Sequence, residues 1–323
     1  MAKEITPLDV FILHQLYVEG YKNGQDEETK KTLDAIIALL ILMLIDTGYA
    51  NVSDMPKRIF NKFVTDFNRK FNELFHKFEK NLVNNLKKLF VLDFDMNKAI
   101  FKKLGGKTYT GTPAGKLWGK LLNTPTAVGD EPKSLFTTFV RSASKNIINV
   151  FKRAYVDKLA FKDIITAIKG TKELGFKDGL LNKLGNQLGA TVETYIQRIV
   201  NFVLHTIGGA LYETYQWVSV LDSATTDICR SRDGNIYRYG DGPVPPAHYR
   251  CRSTIVPVII TDTADMPTFA KWLPTLPAHV RQDVFGKRRA GAANGSFSQI
   301  KSLTLEDFSN KRKILTNLTE KSA

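Results

Sequence analysis

Both cysteines of this 323-residue chain, Cys229 and Cys251, fall in one stretch of about 40 residues, WVSVLDSATTDICRSRDGNIYRYGDGPVPPAHYRCRSTIVPV at 217–258. His248 stands three residues before Cys251, so the two can meet one ion from a single turn. Thiolate and imidazole are borderline-soft donors that suit zinc. A four-ligand finger would place a second cysteine three residues after Cys229, and that position is Arg232. Asp227 or Asp233 is then the candidate for an oxygen ligand. Three readings of Cys229, His248 and Cys251 stay open. They could hold one structural zinc, pack as a reduced, metal-free pair with a histidine that locks the Pro245–Pro246 loop, or close as a disulfide after cell lysis.

The same stretch holds the residue types of an acid–base site. Arg232, Asp233 and His248 could serve as a general acid and base beside a charge clamp, which would make the chain a nucleic-acid-cleaving or toxin-like module. The plainer reading is local: Asp233-Gly234 is an ordinary turn, and Arg232 can pair with Asp233 or Asp222. The non-catalytic reading is the one adopted. GGKT at 105–108 invites comparison with a phosphate-binding loop, but the required first glycine is replaced by Phe101. His14, His76, His205 and His279 lie singly in helical contexts.

The elements that must carry this segment read as mainly α, with a small β unit at about 215–260 and a short helical tail. Thr6-Pro7 opens a helix, and residues 1 to about 53 continue as helix with an apolar run from Ala35 to Ile45. That run is too short to span a bilayer, which takes about 20 residues, and reads as a core helix without stable membrane insertion. From 54 to about 92, Phe60, Phe63, Phe67, Phe71, Leu74, Phe78 and Leu82 step by three and four, one stripe of a long amphipathic helix. Residues 104–132 read as loop. Helices return over 133–213, the last of them at about 184–213. Strands are expected at 215–221, at 236–239 after a Gly234-Asn235 turn, and at 253–260. The boundaries expected are a basic helical region at 1–130, a second helical region at 131–213, the β unit at 214–262 and a helical tail at 263–323.

Lys and Arg number 46 against 32 Asp and Glu, a net charge of +14, so the chain needs anionic company. Between 57 and 90 nine basic residues face three acidic ones, which makes that helix the first place to look for it. Arg58, Lys62, Arg69, Lys70 and Lys77 are candidate contacts to nucleic acid or an acidic partner, as are Lys287, Arg288 and Arg289 in the GKRR run. Two cysteines are too few for a disulfide-built scaffold, and the N-terminus lacks the pattern of a secretory signal.

The order Trp217, Leu221-Asp222, Thr226, Cys229, Arg232-Asp233-Gly234, Pro245-Pro246-Ala247-His248, Cys251-Arg252-Ser253 and Pro257 resembles the head-morphogenesis domain of the phage Mu F-like minor head proteins. FAKWLPTLPAHVRQDVFGKRR at 269–289 and LTLEDF at 303–308 resemble its downstream parts, and Arg198–Glu213 resembles the helix ahead of it, with Asn201 at a threonine place. The resemblance covers roughly a third of the chain, and 1–130 lie outside it. Many members carry CxxC and CRC, whereas this chain is similar to the branch with C-x-x-R-D-G and C-R-S-T. The resemblance implies a non-catalytic minor head protein, made in the bacterial host cytoplasm and packaged inside the virion near the portal. Its expected partners are portal and other head proteins and packaged double-stranded DNA, and its expected tasks head assembly and DNA packaging or ejection. Trp217, Asp222, Arg232, Asp233, Gly234, Pro245, Pro246 and Arg252 would be its structural motif residues.

Overall fold

The structure is a computed structural model that describes residues 6–124, 132–219, 225–258, 272–286 and 299–320. It is mostly helical, 72% helix, with a three-stranded antiparallel sheet around 214–257, as the sequence pattern predicts. The helices are α1 (Pro7–Asp46), α2 (Lys57–Gly105), α3 (Ala114–Asn123), α4 (Pro132–Asp157), α5 (Phe161–Lys169), α6 (Leu180–Leu211), α7 (Asp227–Arg232), α8 (Ala278–Phe285) and α9 (Leu305–Glu320). The strands are β1 (Thr214–Val218), β2 (Ile236–Arg238) and β3 (Thr254–Pro257).

Helix starts follow local chemistry. Thr6 Oγ1 accepts from the Asp9 amide at 3.2 Å, and Asp9 Oδ2 accepts from the Thr6 amide at 2.7 Å, a reciprocal cap that fixes the first turn of α1. Thr304 and Asp307 do the same for α9, at 3.1 and 3.0 Å. α2 departs from expectation at both ends. It opens at Lys57, with the Pro56 carbonyl accepting from Ile59 and Phe60, and it runs to Gly105, well past 92. The stretch expected as loop at 104–132 holds α3, whose Leu117 and Leu121 are buried; its three glycine-and-lysine turns hid a short amphipathic stripe.

The chain forms two compact units, one of Met1–Gln25, Asn85–Glu131 and Val192–Ala323, the other of Asp26–Asn84 and Pro132–Thr191. In the second unit the phenylalanine stripe of α2 packs on α4. Phe60 stacks on Tyr155 with centroids 4.2 Å apart, Phe63 and Phe67 meet Phe151 edge-on, and Phe75 meets Phe139. Partners fall along α4 as they rise along α2, so the pair is antiparallel. Each ring pair adds about 0.5–1.5 kcal/mol beyond area burial. Phe75, rather than the expected Leu74, is the buried member of its turn. The apolar run of α1 buries Ile36, Ile37, Leu40, Met43 and Leu44, while Leu42 and Ile45 face out. Among the described residues no helix is long and apolar enough to cross a membrane.

The first unit contains the sheet, in the order β2-β1-β3, with both neighbours antiparallel to β1. β1 carries Tyr215 and Trp217 inward, both fully buried. The turn expected at Gly234-Asn235 is present, with Gly234 at φ 78° leading the chain into β2; what was not expected is α7, which lies between β1 and that turn. β3 covers Thr254–Pro257, inside the 253–260 expected, of which 259 and 260 lie outside the described residues. Gly20 and Gly24 of α1 admit the segment before α9. The Leu303 amide donates to the Gly20 carbonyl at 2.9 Å, and a Cβ at Gly24 would lie 2.2 Å from the Leu303 carbonyl oxygen.

Candidate metal centre

The two cysteines and the histidine are brought together by two short pieces of chain. Cys229 is on α7 and belongs to a core cluster with Trp217 and Cys251, with Tyr237 and Ala247 packed around it. His248 and Cys251 share a tight turn, closed by the Cys251 amide donating to the His248 carbonyl at 3.2 Å. Arg250 inside that turn takes the left-handed conformation, φ 57°. This costs a bulky residue on the order of 1 kcal/mol or more. It is held by Thr194 Oγ1, which accepts from its amide at 2.9 Å, and by Glu193, which meets its guanidinium at 3.0 Å.

Cys229 Sγ lies 3.1 Å from His248 Nε2 and 3.7 Å from Cys251 Sγ, and all three ligand atoms fall within 4.8 Å of one another. Tetrahedral zinc with Zn–S bonds of about 2.3 Å sets its two sulfurs about 3.8 Å apart, so the sulfur pair has the edge a zinc tetrahedron needs. The sulfur–nitrogen approach is also that of a thiol donating to imidazole, so the metal-free reading has its geometry too. The histidine is oriented for either. Its Nδ1 meets the Tyr249 carbonyl at 2.7 Å, which places the ring proton there and leaves the Nε2 lone pair toward the sulfurs. The carbonyl it meets belongs to the next residue, not to the Pro245–Pro246 loop. The Cys251 thiol is pushed to lower pKa by the Cys229 hydrogen bond, then by amide donation from Ala247 and Ser253, while the same pairing and burial push Cys229 up. A lowered pKa favours the thiolate, the form in which cysteine binds metal.

The proposed oxygen ligands are elsewhere. Among the described residues no carboxylate joins the three ligand atoms. Asp233 Oδ1 accepts from the Ser219 amide at 2.6 Å, and Asp227 is an exposed residue of the first turn of α7. Beside Cys229 and His248 lies a cavity of about 20 Å³, lined also by Ser219, Thr225, Thr226, Arg250, Arg252 and Ser253. A cavity of about 10–15 Å³ holds one water, so a fourth position has room for a solvent oxygen.

The motif residues surround this cluster. Trp217 Nε1 donates to Ser219 Oγ at 2.8 Å, and Ser219 Oγ donates to the Cys229 carbonyl at 2.9 Å and meets Ser253 Oγ at 2.9 Å. The Gly234 amide donates to the Trp217 carbonyl at 2.9 Å. Arg232 lies over the Trp217 ring, 5.2 Å from its centroid, instead of pairing with Asp233. Pro245 and Pro246 are buried and joined by a cis peptide, and Tyr215 Oη anchors their loop by donating to the Pro243 carbonyl at 2.7 Å. Arg252 lines the cavity. Asp222, Lys287, Arg288 and Arg289 lie outside the described residues. Arg58, Lys62, Arg69 and Lys77 are exposed on α2 and Lys70 is half-buried there; Arg69 pairs with Glu73.

Sequence reasoning passed over the polar residues that hold the ligand loop from behind. Gln197 Nε2 and Asn201 Nδ2 of α6 both donate to the Ser253 carbonyl, at 2.8 and 3.3 Å. Lys22 of α1, 2% exposed, donates to the Cys251 carbonyl at 3.4 Å and is neutralised by Glu19 at 2.6 Å; it also bonds Gln197. Gln15 bridges Glu19 and Gln197. The signal was present: Thr194, Gln197 and Asn201, and Gln15, Glu19 and Lys22, recur at helical spacing within otherwise apolar faces. Comparison with protein-family models, with curated proteins and with solved structures finds no match for this chain.

Proposed function

We propose that this chain is a non-catalytic minor head protein of a tailed phage, similar to the Mu F-like head-morphogenesis proteins, packaged in the virion interior near the portal. The observation that carries this reading is the convergence of the motif. Trp217, Cys229, Asp233, Gly234, His248, Cys251 and Ser253, spread over 37 residues of sequence, meet in one hydrogen-bonded cluster in which each has an internal partner. A motif whose members spend their polar atoms on one another keeps a small module in one shape. A β unit of this size buries too little to be stable alone, and one zinc at Cys229, His248 and Cys251 would staple it. Bound there, zinc would tie α7 to the His248–Cys251 turn through three protein ligands, with room for a solvent oxygen at the fourth position; the chain's own residues orient those ligands. The +14 charge suits the densely packed DNA of a filled head.

The alternative, a nucleic-acid-cleaving module on Arg232, Asp233 and His248, is disfavoured by the same geometry. Arg232 and Asp233 are occupied with Trp217 and Ser219, and neither lines the cavity beside His248. The test is co-expression of the tagged full chain with the portal protein encoded by the same genome, alongside incubation with DNA and RNA substrates. The reading expects a stable complex and no cleavage. Portal that fails to co-purify, or cleavage lost in His248→Ala, would replace it with the enzyme.

A further inference from the structure

The unit of α2 and α4 carries an open groove of about 730 Å³ that the Cys/His site does not use. One wall is α2, with Asn68, Asn72, His76 and Glu79; the other is α4, with Arg141, Ser144, Lys145, Asn149 and Lys152 among its residues. The aromatic stripe that joins the helices faces away from it into the core, where Phe63, Phe67 and Phe151 are buried. Ser144 Oγ donates to Asn68 Oδ1 at 2.5 Å, and Asn72 Nδ2 donates to the Asn68 carbonyl at 2.8 Å, so the amide row is tied in place. Among the described residues Arg141, Lys145 and Lys152 form no ion pair, whereas Arg153 and Arg69, nearby on the same two helices, are paired with Asp157 and Glu73.

From this we infer that the groove seats the sugar–phosphate backbone of duplex DNA, an inference that rests on the head-interior reading and names where that DNA is touched. Arg141 and Lys152 are eleven residues apart on one helix, about 16 Å at about 1.5 Å per residue. Over that length one strand of a duplex presents about five phosphates, at about 3.4 Å each along the axis. Three unpaired cations along one wall match that row of charge. The opposite wall offers carboxamides, which give and take hydrogen bonds with phosphate or sugar without regard to sequence. No phenylalanine, tyrosine or tryptophan lines the groove, so the base-stacking mode of single-strand binders is not built into it. Glu79, near the middle of α2, lines the groove 3.9 Å from His76 in the same wall, and the phosphates sit toward α4. The surface differs from the one charge counting singled out: Arg58, Lys62, Lys70 and Lys77 do not line it.

The test uses the full chain and a fluorescein-labelled 30-base-pair duplex of arbitrary sequence, with anisotropy titrations from low to moderate salt. Wild type is compared with Arg141→Gln/Lys145→Gln/Lys152→Gln and with a charge-matched control, Lys57→Gln/Arg58→Gln/Lys62→Gln. All six positions are exposed, and circular dichroism verifies the fold. The groove variant is expected to flatten the slope of log affinity against log salt by about 2.7, about 0.9 for each contact removed, and to bind at least tenfold more weakly at low salt; the control should change much less. Equal losses in both variants would reduce the effect to net charge and overturn the site. Wild type that ignores duplex and binds polyglutamate instead would assign the groove to an acidic protein partner and overturn it as well. Neither result touches the head reading, which is decided by the presence of the protein in virions.

Discussion

Cys251 receives hydrogen bonds from two backbone amides and sits 3.7 Å from Cys229 Sγ, while His248 turns its unprotonated nitrogen to the same point. The sequence made this trio legible because three soft donors clustered where no others exist. It could not give the fourth ligand: Asp233 and Asp227 were equivalent by spacing, and only the turn after α7 commits Asp233 to the Ser219 amide. Protein purified without chelator is expected to hold about one zinc per chain by elemental analysis, and Cys251→Ala or His248→Ala to lose it together with thermal stability. Metal-free wild type would leave the trio as a packed thiol–imidazole cluster. A second residue-scale expectation concerns His205, whose Nε2 is buried with no hydrogen-bond partner among the described residues and whose pKa is lowered, first by burial and then by Lys120. Its folded pKa lies below its unfolded value near 6.5, so the unfolded chain takes up the proton first. Stability is therefore full above that value and falls as pH drops through 6.5 toward the folded pKa. Thermal scans at pH 7, 6 and 5 should show this fall, and His205→Asn should blunt it.

Among the elements, the long helices were readable because their apolar residues keep a period near 3.6 over many turns; the expected stripe of α2 meets α4 at Phe60, Phe63 and Phe67, with Phe75 in place of Leu74 as the buried member further on. What escaped were short elements whose shape depends on distant contacts. α3 lies among glycines, and α7 occupies a connection that composition describes as a turn. The polar rows of α1 and α6 were equally hidden, since their partners, the carbonyls of Cys251 and Ser253, lie more than 50 residues away. Gln197→Leu should accordingly destabilise the chain by about 1–3 kcal/mol, because it removes an acceptor from buried Lys22 and a partner from Gln15 and leaves the Ser253 carbonyl with the longer Asn201 bond alone. Gly24 gives a cleaner case. Alanine normally strengthens a helix by roughly 1 kcal/mol over glycine, yet here its Cβ would strike the Leu303 carbonyl. Gly24→Ala is therefore expected to lower stability by about 1–3 kcal/mol, as overpacking does, in urea titrations that follow helical signal. A gain would mean that the 301–303 segment does not lie against α1.

For the whole molecule, the mainly α class with one small sheet followed from pattern alone, and the charge of +14 pointed to an anionic setting without saying which surface meets it. The two compact units were not legible, because each is assembled from segments far apart in sequence and α1, α2 and α6 contribute to both. Charge counting favoured the most basic stretch of α2, whereas folding pairs Arg69 with Glu73 there and leaves Arg141, Lys145 and Lys152 together along a groove. The claim on which the account turns is that the protein resides in the phage head. It is tested most directly by quantitative mass spectrometry of gradient-purified, DNA-filled virions of the phage whose genome carries this gene. The account predicts the chain at a few copies per particle, present also in filled heads that lack tails. Its absence from particles that contain portal and major capsid protein in full would contradict the account.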